Sequence, residues 1–214
     1  MKLLIAIPTR GQMPFQFVQS LTDMIRKLDE DGVNYEIAFH AATLVYIGRD
    51  RLAKKAIDEG FTHVLWLDDD MVFKADLIDD LTFCGKPFVT GLAVGRRAPH
   101  FSCVFKEVLP KVERWTYNEY PKEPFRIYGC GFACVLIETK VLEKVWITHG
   151  TCFFPTRELG EDVAFCDRAL KLGFEIWAEP TVQLGHIGTQ IYYPIDEVKY
   201  TEGIQGFDEV NKHA

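Results

Sequence analysis

The first 90 residues alternate between short apolar runs and longer stretches with helical spacing. The runs at 3–7 and 64–67 are continuous, which is typical of strands buried on both faces. Between them, Phe17, Leu21 and Leu28 belong to one helical stripe. Successive strand–helix units of this size predict a parallel sheet with right-handed crossovers. The predicted strands are 2–7, ended by Pro8, then 35–39, 64–67 and 87–90, and the predicted helices are 17–28, 52–57 and 77–81.

The pattern changes after Gly91. Residues 100–137 are rich in aromatic and β-branched residues with Pro and Gly between them, which predicts antiparallel strands or a β-ribbon. The whole chain therefore predicts an α/β fold with a mixed, mostly parallel central sheet, flanking helices and a small antiparallel ribbon. Later elements are expected as helices at 139–146 and 162–172 and a strand at 174–178. We expect one domain over residues 1–190, divided near residue 95, and a C-terminal tail over 191–214.

Composition narrows the class of protein. The 214 residues are 48% hydrophobic and 26% charged, as in an ordinary globular domain. The formal net charge of −7 argues against a large nucleic-acid surface, and no apolar run reaches the length of a membrane span. Six scattered cysteines without a CxxC pair favour reduced thiols, so a cytoplasmic location is expected.

Three consecutive carboxylates, Asp68, Asp69 and Asp70, follow the apolar run 64–67 directly. If the chain stays extended, Asp68 and Asp70 point one way and Asp69 the other. Two carboxylates at a strand end suit Mg²⁺ or Mn²⁺ that keeps substrate phosphates and waters as its other ligands. An acidic turn that only closes the strand is the alternative.

Two further segments offer groups for chemistry. Glu161 and Asp162 lie at the amino end of a predicted helix, where the dipole stabilises negative charge. Asp162 is either an N-cap or a base that takes a proton from a hydroxyl. His186 lies between Gly185 and Gly188 after a short strand, and is either structural or a ligand for manganese.

Three loops have residues suited to phosphate or to close backbone approach. One follows the first strand and one opens the second helix, each with a guanidinium. The third has two glycines before an apolar strand, which would let the backbone approach a ligand closely. They are Pro8-Thr-Arg-Gly11, Gly48-Arg-Asp-Arg51 and Gly129-Cys-Gly131.

Read in order, these segments resemble the GT-A glycosyltransferases, especially the family-2-like enzymes with a DxD motif. The resemblance covers about residues 2–189 and rests on the order of the motifs more than on any one of them. It implies the Rossmann-like GT-A fold. The similar segments are Ile7-Pro-Thr-Arg10, the helix start with Arg49, Asp68-Asp69-Asp70, Gly129-Cys-Gly131-Phe132, Gly160-Glu161-Asp162 and His186.

The resemblance also implies an activity and roles for residues. It implies a nucleotide-diphosphate sugar donor, with a UDP-sugar favoured, a Mn²⁺ or Mg²⁺ cofactor, and transfer to an acceptor hydroxyl with inversion. The acceptor could be a saccharide, a protein or another hydroxyl compound, with nucleic acid not excluded. By position, the implied metal ligands are Asp70, His186 and Asp68; the donor-binding residues are Pro8, Thr9, Arg10, Thr43, Arg49, Asp68, Asp69, Gly129 and Gly131; the catalytic residues are Asp162 as base with Glu161; and the acceptor residues are Arg96, Trp115 and Phe154.

One departure and two rival functions stand beside this interpretation. Many relatives have an acidic residue that reads uracil where this chain has His40-Ala-Ala-Thr43. A haloacid-dehalogenase-type phosphatase would use Asp68 as nucleophile and Asp70 as acid/base, but that family carries its motif on the first strand. A sugar-nucleotide or glycan-binding module without catalysis is the other alternative.

Overall fold

Strands and helices alternate through the computed structural model, which describes residues 1–41, 44–108 and 112–194. The strands are β1 (Lys2–Thr9), β2 (Asn34–Ala41), β3 (His63–Leu67), β4 (Met71–Val72), β5 (Phe88–Leu92), β6 (Val104–Glu107), β7 (Glu113–Arg114), β8 (Phe125–Ile127), β9 (Gly129–Cys130), β10 (Cys134–Glu138), β11 (Ile176–Gln183), β12 (Gly185–Ile187) and β13 (Ile191–Tyr192). The helices are α1 (Phe15–Glu30), α2 (Val45–Asp58), α3 (Leu77–Phe83), α4 (Thr139–His149) and α5 (Glu161–Lys171), with a 3-10 turn at Tyr117–Glu119.

The central sheet of the described residues has seven strands in the order β2-β1-β3-β10-β5-β11-β8. Strands β1, β2, β3, β5 and β11 run in one direction, and β10 and β8 run against them. The predicted mixed, mostly parallel sheet is therefore confirmed. Strand β10 differs from its expected place in the ribbon, because its continuous apolar run is buried between β3 and β5.

The two faces of the sheet are covered by different helices. Along β1, Leu3, Ile5 and Ile7 pack with the apolar faces of α1 and α3, whereas Leu4 and Ala6 pack with α2 and the cluster that includes α4 and α5. Burial on both faces explains why this strand has no polar position between Lys2 and Thr9. The result is a three-layer α/β/α arrangement.

Strand β1 extends past the residue that was expected to end it. Pro8 pairs with His40 of β2, whereas the pairing of β1 with β3 ends at Ala6 and Trp66. Pro8 therefore lies where one side of the strand has no partner strand, and its missing N–H removes no bond from that side. Thr9 is the last residue of β1 and Asp68 follows β3, so both lie at the same edge of the sheet, at the ends of neighbouring parallel strands.

Two three-stranded sheets lie beside the central one, with orders β13-β12-β4 and β7-β6-β9. Strand β13 was expected to be the start of the tail, but Tyr192 pairs with His186 and Ile191 with Ile187. The rest of the expected tail, residues 195–214, lies outside the described residues. No helix in the described ranges has the length and apolar character needed to cross a membrane.

Candidate active site

A buried arginine organises the carboxyl edge of the sheet. Helix α2 places Arg49 so that 3% of its side chain is exposed. Its Nη2 lies 2.9 Å from Asp68 Oδ1, and its Nη1 lies 3.2 Å from Glu161 Oε1 and also contacts Asp162 Oδ1. The ring of Phe132 lies 5.3 Å from the guanidinium carbon on another side. One cation therefore joins the end of β3 to the start of α5.

This placement of Arg49 differs from the expected position along a nucleotide. Its guanidinium faces three protein carboxylates and an aromatic ring, so it has little surface left for a ligand. The planar fork of arginine can bridge several carboxylates at once, which a lysine cannot do. In this structure Arg49 therefore positions carboxylates at the carboxyl edge of the sheet. Thr43, expected nearby as a donor-binding residue, lies outside the described residues.

Asp162 has the environment of a carboxyl that titrates near neutrality. Burial raises its pKa, and although Arg49 lowers it, repulsion from Asp68 and Glu161 adds to the increase and brings the pKa to about 7. Its Oδ2 accepts a hydrogen bond of 3.3 Å from the Phe132 N–H. The N-cap of α5 is Gly160, so the alternative of Asp162 as a plain N-cap is wrong. A carboxyl with this pKa can hold or release a proton at physiological pH.

The acidic triplet does not continue as an extended strand. β3 ends at Leu67 and the chain turns at Asp69 and Asp70 before β4, so the expected alternation of side chains does not apply. Asp68 faces Arg49, and burial raises its pKa even though Arg49 lowers it. Asp69 has a buried Oδ2 without a hydrogen-bond partner among the described residues. Asp70 points to a different set of side chains.

Asp70 forms the second charged group of the site with His186 and Arg96. Its Oδ2 lies 3.4 Å from His186 Nε2 and contacts Arg96 Nη1. The pairing of β4 with β12 brings Asp70 and His186 together, and the Ile187 N–H donates to the Asp70 carbonyl at 2.8 Å. Burial raises the pKa of Asp70, but His186 and Arg96 outweigh it and leave the pKa below its usual value.

The tautomer of His186 follows from its second nitrogen. Nδ1 lies 2.8 Å from the Val94 carbonyl, which can only accept, so Nδ1 carries the proton and Nε2 faces Asp70. Burial lowers the pKa of His186, but its contacts with Asp70 and Val94 outweigh burial and raise it. A hydrogen bond donated by Nδ1 to a backbone carbonyl is the arrangement that orients the imidazole of a metal-binding histidine.

The fit of this pair to a divalent cation can be tested on the geometry. Asp70 and His186 offer one carboxylate and one imidazole side by side, whereas Asp68, expected as a third ligand, faces Arg49. No group of three or more His, Cys, Asp or Glu side chains in the described part of the chain could hold a metal. The pair therefore fits a cation only if substrate oxygens complete its coordination.

A cleft of about 410 Å³ lies between these groups and the β6–β7 ribbon. Asp162, His186 and Gly131 are among the residues that line it. A Cβ on Gly131 would lie 3.9 Å from Asp162 Oδ2 and 3.6 Å from Cys103 Cβ, so this glycine keeps the backbone near the carboxylate open. The other lining residues include Arg96, Arg97, Phe101, Phe105 and Arg114.

Some of the expected site residues lie at the same edge of the sheet. Pro8 and Thr9 end β1 and are buried, Arg10 is exposed, and Thr9 Oγ1 accepts a hydrogen bond of 3.0 Å from the Gly11 N–H. Arg96, expected on the acceptor side, lines the cleft and contacts Asp70.

Other expected residues lie away from the cleft. A Cβ on Gly129 would lie 3.2 Å from Val108 Cγ2, so its missing side chain serves packing against the protein. Trp115 packs on Phe125 with ring centroids 4.8 Å apart, and Phe154 packs on Tyr46 at 5.3 Å. These three residues therefore have structural neighbours rather than a place in the cleft lining.

The sequence reasoning missed Arg114 and Phe101 in the cleft, and it did not connect Arg49 with Asp162. The ribbon residues carry no motif, and only the pairing of β6 with β7 brings Arg114 opposite Phe105. For Arg49 and Asp162, 113 positions separate the partners, and no local signal links them.

The sequence matches no protein-family model and no curated protein. Solved structures do match. A197 from STIV has a TM-score of 0.61 at 20% identity, covering 92% of this chain and 87% of that one. GalNAc-T7, crystallised with UDP, GalNAc and Mn²⁺, has a TM-score of 0.59 at 11% identity, covering 88% of this chain. This chain spans only 44% of that chain.

The catalytic domain of Drosophila β1,4-galactosyltransferase 7, in complex with xylobiose, has a TM-score of 0.52 at 14% identity. The match covers 94% of this chain and 72% of that one. Identities this low show similarity of fold and leave the activity to the residues of the site. The central sheet, its helices and its small antiparallel sheets therefore have the Rossmann-like GT-A fold.

Proposed function

We propose that this protein is a glycosyltransferase that moves a sugar from a nucleotide-diphosphate donor to an acceptor hydroxyl, with a divalent cation and with inversion. The observation that carries the proposal is Asp162, a partly buried carboxyl with a pKa of about 7, which lines the same cleft as His186. A base of this pKa beside a candidate cation pair suits attack by a hydroxyl on a diphosphate-bound sugar.

In this mechanism Asp162 takes the proton of the acceptor hydroxyl as its oxygen attacks the anomeric carbon. The bond from that carbon to the diphosphate oxygen breaks, and its electron pair leaves with the diphosphate. Arg49 orients the Asp162 carboxylate and lowers its pKa, so that part of the population is ionised at neutral pH. Glu161 shares Arg49 and takes a supporting role, in place of direct catalysis.

The donor would lie along the carboxyl ends of β1 and β3. The buried Asp69 oxygen without a partner among the described residues is costly by about 1–3 kcal/mol until a donor reaches it, and a ribose hydroxyl can supply one. Asp70 and His186 would hold Mn²⁺ or Mg²⁺ together with the diphosphate. The cation would supply charge neutralisation on the departing diphosphate. Pro8, Thr9 and Arg10 would flank the nucleotide.

The proposal is tested by UDP release from a panel of UDP-sugars with Mn²⁺, Mg²⁺ or EDTA present. We expect cation-dependent hydrolysis, which Asp70→Ala abolishes together with cation-dependent UDP binding. Asp162→Asn should retain UDP binding and lose turnover by about 10²–10⁴-fold. Asp23→Asn, an exposed change on α1, serves as the matched control and should leave both unchanged.

Three results would contradict the proposal. Phosphate release from simple phosphomonoesters with a phosphoenzyme trapped on Asp68 would establish the phosphatase alternative. UDP-sugar binding without turnover across saccharide, peptide and nucleoside acceptors would favour a binding module. If the anomeric proton coupling shows that the product has the same anomeric configuration as the donor, inversion is contradicted.

A further inference from the structure

The lining of the cleft that contains Asp162 carries an excess of positive charge. Arg96, Arg97 and Arg114 all line it, whereas Asp162 is the only carboxylate among the described lining residues. Arg96 is committed to Asp70. Neither Arg97 nor Arg114 has a carboxylate within ion-pair distance in the described ranges, so two guanidinium groups there are uncompensated.

Arg97 projects from a turn that the fold holds in place. The Gly95 N–H donates to the Phe101 carbonyl at 2.9 Å, and the His100 N–H donates to the Arg97 carbonyl at 2.9 Å. His100 also stacks on Tyr192 of β13 with ring centroids 4.3 Å apart. These contacts hold the backbone of the turn before a ligand arrives, which lowers the entropy cost of binding.

Arg114 is oriented by aromatic rings rather than by an acid. It lies opposite Phe105 in the β6–β7 pairing, and its guanidinium carbon is 5.0 Å from the Phe105 ring and 5.1 Å from the Phe101 ring. Cation–π contacts hold a guanidinium without using its N–H donors. The edge of the Arg114 guanidinium therefore remains available for an anion in the cleft.

We propose that Arg97 and Arg114 bind a phosphate group on the acceptor and so present the acceptor hydroxyl to Asp162. The oxygens of a phosphate are arranged tetrahedrally, so two guanidinium groups can approach it from different directions, whereas the two oxygens of a carboxylate lie in one plane and match a single fork. The identification of the ligand as the acceptor rests on the proposed function. The phosphate can belong to a phosphomonoester, as in a sugar phosphate, or to a phosphodiester, as in linked nucleotides.

The donor diphosphate does not account for these two arginines. The groups proposed to hold it, Asp70 and His186, already have Arg96 beside them. Arg114 belongs to the ribbon, whose strands in the described residues pair with one another and with β9. An anion bound by Arg114 would therefore contact an element other than those that carry Asp70 and His186.

Calorimetric titration at constant ionic strength tests the proposal on the full chain saturated with UDP and Mn²⁺. The phosphomonoester arm compares glucose 6-phosphate with glucose, and the phosphodiester arm compares the dinucleotide TpT with thymidine. We expect one phosphate compound to bind and its neutral partner not to bind. Arg97→Gln and Arg114→Gln should each weaken that binding about tenfold and leave UDP affinity unchanged. Arg26→Gln on α1 is the matched control and should change neither.

Several outcomes would overturn the assignment. Equal binding of the phosphate compounds and their neutral partners would show that the cleft does not recognise the phosphate group. A parallel loss of UDP affinity in Arg114→Gln would assign the arginines to the donor, and an equal effect of Arg26→Gln would show non-specific charge attraction. If UDP does not bind at all, the proposed function fails, and the same titration of the free protein still decides whether Arg97 and Arg114 bind phosphate.

Discussion

Replacing Arg49 by Met tests whether one buried cation sets the charge state of the site. The side chain is 3% exposed and contacts carboxylates of Asp68, Glu161 and Asp162. Breaking a buried ion pair by removing one partner costs about 3–5 kcal/mol, because the remaining charge is left uncompensated. We expect a loss of this size at alkaline pH, where Asp162 is ionised in the native protein.

The loss should be smaller in mild acid, and the pKa of Asp162 gives the difference. A pH of about 8.5 is roughly 1.5 units above the Asp162 pKa of about 7, so protonating Asp162 at that pH costs about 2 kcal/mol. At about pH 6 Asp162 is already protonated, and no such cost arises. Without Arg49 the native pKa rises further, so the native state binds more protons than the unfolded chain. The added instability therefore grows as pH rises above about 7.

Urea unfolding at the two pH values measures this difference. Arg49→Met should lose about 2 kcal/mol more stability at about pH 8.5 than at about pH 6. Arg49→Lys keeps a charge but not the planar fork, so it should fall between Met and wild type. Arg26→Met, an exposed change on α1, should stay within about 0.5 kcal/mol at both. Equal losses for Arg49→Met at both pH values would refute the electrostatic explanation.

Three further predictions concern the base, the His186 strand and the loop before α5. Donor turnover should rise about tenfold per pH unit up to about pH 7 and then level off, because Asp162 acts only when ionised; a flat profile in wild type would contradict its role. Gly185→Ala should cost about 1–3 kcal/mol in urea unfolding, because the added Cβ would lie 2.5 Å from Ile191 Cγ2, whereas Gly95→Ala meets nothing nearer than 3.7 Å and should be neutral. Asp50→Ala should raise amide hydrogen exchange at residues 152–153, because the Asp50 carboxylate accepts hydrogen bonds of 2.8 and 2.7 Å from their N–H groups. Unchanged exchange there would show that Asp50 does not hold this part of the loop.

The parallel part of the sheet could be predicted because strands buried on both faces leave continuous apolar runs. Strand β10 shows the limit of that reasoning. Its run Cys134–Glu138 has the same apolar character, but its direction and its place between β3 and β5 depend on pairing across more than 40 residues. The composition of a strand does not encode its neighbours, so an antiparallel strand inside a parallel sheet was assigned to the ribbon.

The candidate site divides in the same way. The sequence order brought out Asp68, Asp70, Asp162 and His186 as a set, because polar residues directly after buried strands or at a helix start are locally visible. The direction of each side chain was not visible. The turn after Leu67 directs Asp68 and Asp70 to different partners. Arg49 was expected to contact a ligand, but it is buried against carboxylates and contacts protein groups instead.

The hydrogen bonds of Asp50 determine where this protein could accept inserted sequence without disturbing the cleft. Asp50 holds residues 151–153, and its neighbour Arg49 holds the first turn of α5, so both ends of the intervening loop are tied to α2. The loop from Phe154 to Glu158 is largely exposed between these two ties. Because both ends are held, inserted sequence there should be tolerated while Asp162 keeps its position. This segment is therefore the natural place to insert a reporter or an additional module into the protein.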